Sequence, residues 1–323
     1  MTPANLKKWF LTSLFAFAII PPPQLQAIEF QSIVTFGGSV SDPGNFFALT
    51  GISNTPPYDQ LDPFLVSTGP YSKGGHHFSN GATWIEQLGR SLGLNRNVQP
   101  AFGSSSPHAT NYAVGGARST DVQVPENTFD MPEQVGAFLA EHGNVAPSGA
   151  LYVIDFGGND VRDALLSGDP IDSINTALDS IAFHVNLLYA AGARKFLFVN
   201  VADIGVLPST RLLDMEIPGV AQAASFLTGI FNLGLVAIKD SLPPDAEVEV
   251  LDVFGTVHAL IANPADFGLT EVEDACITPN IPPFSCKQPD EYLFWDGIHA
   301  TKAVHEIFAD VALQVLNPVV AKK

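Results

Sequence analysis

Three short stretches hold the residue types that perform nucleophilic chemistry. "TFGGSVSDPGN" (35–45) puts Ser39 just past the β-branched and aromatic run "SIVTF", "GGND" puts Asn159 three residues after "LYVIDF", and "FWDGIH" puts Asp296 and His299 just before an amphipathic run. A Ser, an Asp and a His in that chain order suit a nucleophile, an orienting carboxylate and a general base. Singly, a Ser after a strand or a DxxH before a helix is more often a helix cap. Their joint occurrence with "NYAVGGA" (111–117) is what makes them a constellation.

Such groups meet only if strands deliver them to one edge, because in open α/β sheets ligands sit at the carboxyl ends of strands. The clearest strands are 32–36, 151–156, 195–201 and 248–253, short buried runs alternating with longer helical segments. That alternation predicts a three-layer α/β/α sandwich around a parallel sheet. Ile171, Ile174, Leu178, Ile181, Val185 and Leu188 recur at helical spacing, with Gly192 as the stop signal. His184 falls off that stripe and is read as a solvated surface residue. Further helices are expected over 219–242 and 301–316. Residues 50–82 and 263–292 are long, proline-bearing and irregular, the kind of loop that commonly faces substrate. With no repeat and no linker, residues 28–323 read as one domain.

The first 27 residues differ from the rest: Lys7 and Lys8, the apolar run "WFLTSLFAFAII", then "PPPQLQA". This is the pattern of a secretory signal peptide, and the run is too short for the roughly 20 residues of a spanning helix. A secreted or periplasmic protein with no stable membrane anchor is expected. Without the leader, 13 basic residues face 33 acidic ones, a net −20 that repels nucleic acid and anionic lipid headgroups. Cys276 and Cys286 are the two cysteines, and in an oxidising compartment so close a pair is expected to form a disulfide. No CxxC or HxxxH accompanies them, so no metal site is expected.

At these blocks the chain resembles the GDSL family of serine esterases and lipases, also called SGNH hydrolases, over nearly the whole of 28–323. "FGGSVSDPGN" is similar to the nucleophile block, "NYAVGGA" to the glycine block, "GGND" to the asparagine block and "FWDGIH" to the Asp and His block. The resemblance implies a flavodoxin-like fold, no cofactor, and a small-molecule or lipid ester as substrate. It also implies catalytic Ser39, Asp296 and His299, with an oxyanion hole from the N–H groups of Ser39 and Gly116 and the Asn159 amide. Gly116 is expected for the close backbone approach that a missing side chain allows. One departure stands out: Gly38 occupies the position of the family's Asp, which removes hydrogen bonds that steady the turn. Either other groups organise that turn or activity is reduced. Gly38→Asp is expected to raise turnover if φ there is negative and to lower it if the backbone is left-handed.

Rival readings fit less well. An α/β-hydrolase calls for GxSxG, whereas the window reads Gly37, Gly38, Ser39, Val40, Ser41. The HE pair at His305 and Glu306 has Ala309 where a zinc protease has its second His. His76 and His77 either line the cleft or sit exposed on a loop. An acyltransferase using the same acyl-enzyme, or an ester- or sugar-binding protein weakened at Gly38, remains open. The apolar residues of 205–234 fit an acyl pocket or a helix covering the sheet equally well.

Overall fold

The computed structural model describes residues 30–121 and 129–317; the leader read at 1–27 lies outside the described residues. The expected strands form one parallel sheet, β1 (Ser32–Gly37), β2 (Ala150–Asp155), β3 (Lys195–Val199) and β4 (Glu247–Leu251), side by side in that order. β1 and β2 are buried almost throughout, as parallel strands covered on both faces must be. β4 alternates exposed glutamates with inward valines, which blunts the edge of the sheet with charge.

Residues 110–114 run along the free side of β1. Thr35 N–H donates to Thr110 O at 3.0 Å, Tyr112 N–H to Thr35 O at 2.8 Å and Val114 N–H to Gly37 O at 3.0 Å, and the Thr35–Asn111 bridge is parallel. The chain therefore leaves β1 for one edge and returns on its other side at β2. This is the strand order of a flavodoxin-like sheet, with its switch point between β1 and β2.

The helices in chain order are α1 (Asn45–Thr50), α2 (Trp84–Ser91), α3 (Met131–Glu141), α4 (Gly158–Leu165), α5 (Pro170–Ala191), α6 (Pro208–Glu216), α7 (Val220–Ser241), α8 (Val253–Ala262) and α9 (Lys302–Leu316). α2 and α9 pack together on one face, while α3, α5 and α7 lie side by side on the other. Reversal of the crossover direction at the switch point places the two groups on opposite faces. α5 starts as its sequence suggests: the Asp169 side chain accepts from Asp172 N–H, and Pro170 takes a position where its missing N–H costs nothing.

Three expectations are corrected here. His184 is buried, not solvated, and its ring N–H donates to Ser180 O at 2.8 Å. Ala177, Ile181, His184 and Leu188 follow one another at three- and four-residue steps, so the inward stripe of α5 runs through the histidine. Ile171, in the first turn of α5, is instead 42% exposed. The stretch 263–292 is not irregular throughout, because β5 (Glu271–Ala275) pairs in parallel with β6 (Tyr292–Phe294). α7 is long and apolar enough by composition to cross a membrane. In the fold it packs beside α5, with Gly234 against Leu178, and it buries Leu227, Phe231 and Leu235.

Candidate active site

The carboxyl ends of β1 and β2 set the floor of the site. β1 ends at Gly37, where a Cβ would meet Asp155 O at 2.7 Å, so the two strand ends approach closely only because the side chain is missing. Gly38 follows in extended conformation, φ −101°, and Ser39 opens a single 3₁₀ turn, Ser39–Ser41. From the far end of the chain, His299 brings Nε2 to 2.9 Å from Ser39 Oγ. Its Nδ1 lies 2.8 Å from Asp296 Oδ2. With the Nδ1–H donated to the carboxylate, Nε2 carries the lone pair that accepts the serine O–H.

Asp296 and His299 are both buried. Asp296 Oδ1 accepts from Ile298 N–H at 2.8 Å and His299 N–H at 2.7 Å, and its Oδ2 also accepts from Tyr71 O–H at 2.7 Å. Burial alone would raise the Asp296 pKa, but His299, the backbone N–H group and the tyrosine outweigh it and hold the carboxyl below its ordinary value. Tyr71 was not singled out in the sequence. It comes from the 50–82 stretch and packs edge-on against Trp295 and Tyr58, at 5.6 Å in each case.

The groups that replace the missing carboxylate at position 38 were also not singled out. Ser41 O–H donates to Asp155 Oδ2 at 2.6 Å and accepts from the Trp84 indole at 2.9 Å. Gln134 reaches Gly37 with both ends of its amide, accepting from N–H at 2.8 Å and donating to C=O at 2.9 Å. Asp42 accepts from Gly44, Asn45, Phe46 and Gly115 N–H groups, the last tying the serine turn to the glycine block. Asn45 holds the carbonyls of Asn111 and Ala113. Burial pushes the Asp42 carboxyl up to about 6 against the pull of those four N–H groups. The turn is therefore held, and not by position 38.

Gly116 has φ +85°, and a Cβ there would meet nothing within 4 Å. The left-handed backbone is a further reason for glycine at this position, beside the approach to substrate expected from the sequence. The block is tethered on both sides: Gly115 N–H to Asp42, and Ser119 N–H to Asp160 Oδ1 at 2.9 Å. Asn159, in the first turn of α4, donates to Ala117 O at 2.9 Å, which fixes its amide beside Gly38. The N–H groups of Ser39 and Gly116 find no acceptor among the described residues.

Ser39, Asn159 and His299 line one cavity, whose walls are apolar: Val201, Leu207, Val257, Phe294, Ile298 and Phe308 among them. Of the apolar run 205–234 only Leu207 contributes; most of the remainder is α7. His76 and His77 do not line it. His76 stacks on Phe47, and His77 is buried with Nε2 2.9 Å from Glu86 Oε2, the carboxylate that also caps α2 through Thr83. Burial lowers the His77 pKa less than Glu86 and the Gly74 carbonyl raise it. Among the described residues no cluster of His, Cys, Asp and Glu is arranged to hold a metal ion.

Cys276 and Cys286 form a disulfide. It braces the approach to Asp296: Cys276 N–H donates to Phe294 O and Ile277 N–H to Trp295 O, each at 2.9 Å. Cys276, Ile277, Trp295, Tyr58 and Tyr71 make a small apolar cluster of their own behind the aspartate.

A serine at a strand end, hydrogen-bonded through a histidine to a buried aspartate on a flavodoxin-like sheet, defines the class of serine-hydrolase-like α/β proteins. Residues 33–312 match the GDSL-like lipase/acylhydrolase family, and the chain belongs to that family. It is 27% identical over 362 residues to a GDSL esterase/lipase of Arabidopsis thaliana, covering 97% of this chain and 90% of that protein. It is 26% identical over 271 residues to the phosphatidylcholine-sterol acyltransferase of Aeromonas hydrophila, covering 84% and 72%. A lipase/acylhydrolase structure from Enterococcus faecalis aligns at 13% identity and a TM-score of 0.40, covering 88% of this chain and 93% of that one.

Proposed function

We propose that this protein is an exported serine hydrolase of carboxylic esters that works through an acyl-Ser39 intermediate. The observation that carries the reading is the unbroken line from Ser39 Oγ through the His299 ring to Asp296 at the mouth of an apolar cavity. As Ser39 Oγ bonds to the ester carbonyl carbon, its proton passes to His299 Nε2 and the carbonyl π pair moves onto oxygen. The N–H groups of Ser39 and Gly116 and the Asn159 amide meet that oxyanion; losing one such donor typically costs about 2.7–4 kcal/mol. Collapse expels the alcohol oxygen, which takes the proton from His299. Water then repeats the sequence on the acyl-serine and frees the acid. The cavity takes the acyl chain, since its walls are apolar.

The family relationship and the disulfide support export through residues 1–27, because disulfides persist in oxidising compartments. A second reading is favoured by the likeness to the Aeromonas acyltransferase: an acceptor alcohol takes the place of water at the second step. Product analysis with and without added alcohol separates the two. A serine-directed phosphonate should label Ser39, and Ser39→Ala should abolish both labelling and turnover of a short p-nitrophenyl ester. Labelling that survives the substitution would refute the nucleophile.

A further inference from the structure

Arg162 lines the same cavity as Ser39, Asn159 and His299, and the mechanism above gives it no role. It is the only Arg or Lys among the described residues lining that cavity. Its guanidinium makes no hydrogen bond to any described residue. The carboxylates whose charge it feels are Asp163, Asp62 and Asp296, and each is committed elsewhere. Asp163 offers both oxygens to Arg118. Asp62 accepts from the N–H groups of Phe64 and Val66 in its own turn. Asp296 is bound to His299 and Tyr71.

Arg162 is half-buried, and a cation partly withdrawn from water without a protein partner is seldom kept that way without a use. Its position in the last turn of α4 places it in a favourable helix dipole, which explains why it is tolerated but not why it faces the cavity. Arg162 stands three residues after Asn159 on α4, so the two side chains rise from one face about 5–6 Å apart at Cβ. An ester whose carbonyl sits at the Asn159 amide therefore presents to Arg162 a group only a few bonds away. The planar fork of a guanidinium is matched to carboxylate and phosphate oxygens.

We propose that Arg162 is a specificity-determining residue that selects substrates carrying an anionic group, phosphate or carboxylate, a few bonds from the scissile ester. The location of that ester rests on the reading of Ser39 and Asn159 given above. The test is equilibrium binding to the wild-type protein of hexyl phosphate, hexanoate and hexanol, none of which is a carboxylic ester, so the result does not depend on turnover. At least one anion should bind tenfold or more tightly than hexanol. Which of the two does so tells phosphate from carboxylate. Arg162→Met should erase the preference and Arg162→Lys, which keeps the charge without the fork, should retain part of it, both at unchanged melting temperature; should Arg162→Met fail to fold, the lysine variant carries the comparison. Hexanol binding as tightly as both anions, or a preference that survives Arg162→Met, overturns the proposal. Failure of Ser39 to take the phosphonate would instead overturn the hydrolase reading and leave the anion site standing.

Discussion

Asp296 accepts from four donors, the backbone N–H groups of Ile298 and His299 and the side chains of His299 and Tyr71. Asp296→Asn turns an acceptor-only group into one that also donates, so the histidine loses the partner that sets its tautomer; turnover should fall by on the order of 10⁴ with the circular dichroism spectrum unchanged. Tyr71→Phe leaves His299 its carboxylate and removes one charge-assisted bond, worth about 1.5–3 kcal/mol. It should lower the unfolding free energy by about that much and cost far less turnover than Asp296→Asn; equal losses from both variants would make Tyr71 part of the chemistry. Beside the serine, Gly38 has φ −101°, and a Cβ there would lie 3.7 Å from Ala117 O and from Asn159 Nδ2, so the backbone accepts a side chain at this position. Because Ser41, Asp42 and Gln134 already hold the turn, Gly38→Asp should change turnover by less than about threefold, a smaller gain than the sequence suggested. Asp42→Ala strands four N–H groups that its carboxylate satisfies and should cost more than about 3 kcal/mol in urea unfolding. A large gain from the first variant or a silent second one would mean that the turn is not organised as described.

At the level of elements, the disulfide and the β5–β6 pair form a brace whose contacts end at Phe294 and Trp295, immediately before Asp296. Losing the cross-link restores freedom to a short loop, worth roughly 2.5–3 kcal/mol in the chain-entropy model, and does so next to Asp296 rather than in the sheet. Cys286→Ser should therefore lose activity at a lower temperature than it loses helical circular dichroism; coincident losses would place the brace in the global fold. This part of the molecule also marks the limit of what could be read from the chain. The β1–β4 strands and helices α5, α7 and α9 were legible because they bury continuous runs or stripes, which leave a period in the sequence. Ser39, Asp296 and His299 were legible because each sits at an element boundary in a recognisable block. Tyr71, Gln134 and Trp84 were not, since their partners lie 225, 97 and 43 residues away and a single polar group aimed across the fold leaves no local pattern. Asp42 lay inside a quoted block, yet nothing local reveals that its second oxygen reaches Gly115. His184 was misread because a histidine on an apolar stripe looks like an interruption, when a backbone carbonyl one turn back satisfies its ring.

Across the whole molecule, the layer made by α2 and α9 is joined by a buried polar contact, Trp84 N–H donating to His305 Nδ1 at 3.2 Å. Burial, reinforced by His299 and His77, holds the His305 ring neutral, with its pKa lowered to about 3. The unfolded chain takes up that proton near its ordinary value of 6.5, so the stabilising effect of the neutral ring is complete above 6.5 and drains away as pH falls toward 3, by about 1.4 kcal/mol per unit. Asp42 works in the opposite sense. Its folded pKa of about 6 exceeds the unfolded 3.8, so the folded state gains from protonation as pH drops below 6, and that gain is complete only below 3.8. Between pH 7 and 5 the histidine therefore loses about 2 kcal/mol, while Asp42 and Asp155, whose buried carboxyl is likewise raised to about 6, gain about 1.4 kcal/mol each and together more than offset it. Asp296 and Glu86, both held below their ordinary values, lose their contribution only in stronger acid. His305→Gln keeps an acceptor for the Trp84 N–H but removes the titrating ring. Its unfolding free energy in urea, measured at pH 7 and pH 5, should rise on acidification by about 2 kcal/mol relative to the change seen in wild type. If the two proteins show the same pH dependence, His305 is not held neutral and the joint between α2 and α9 is wetter than the structure makes it.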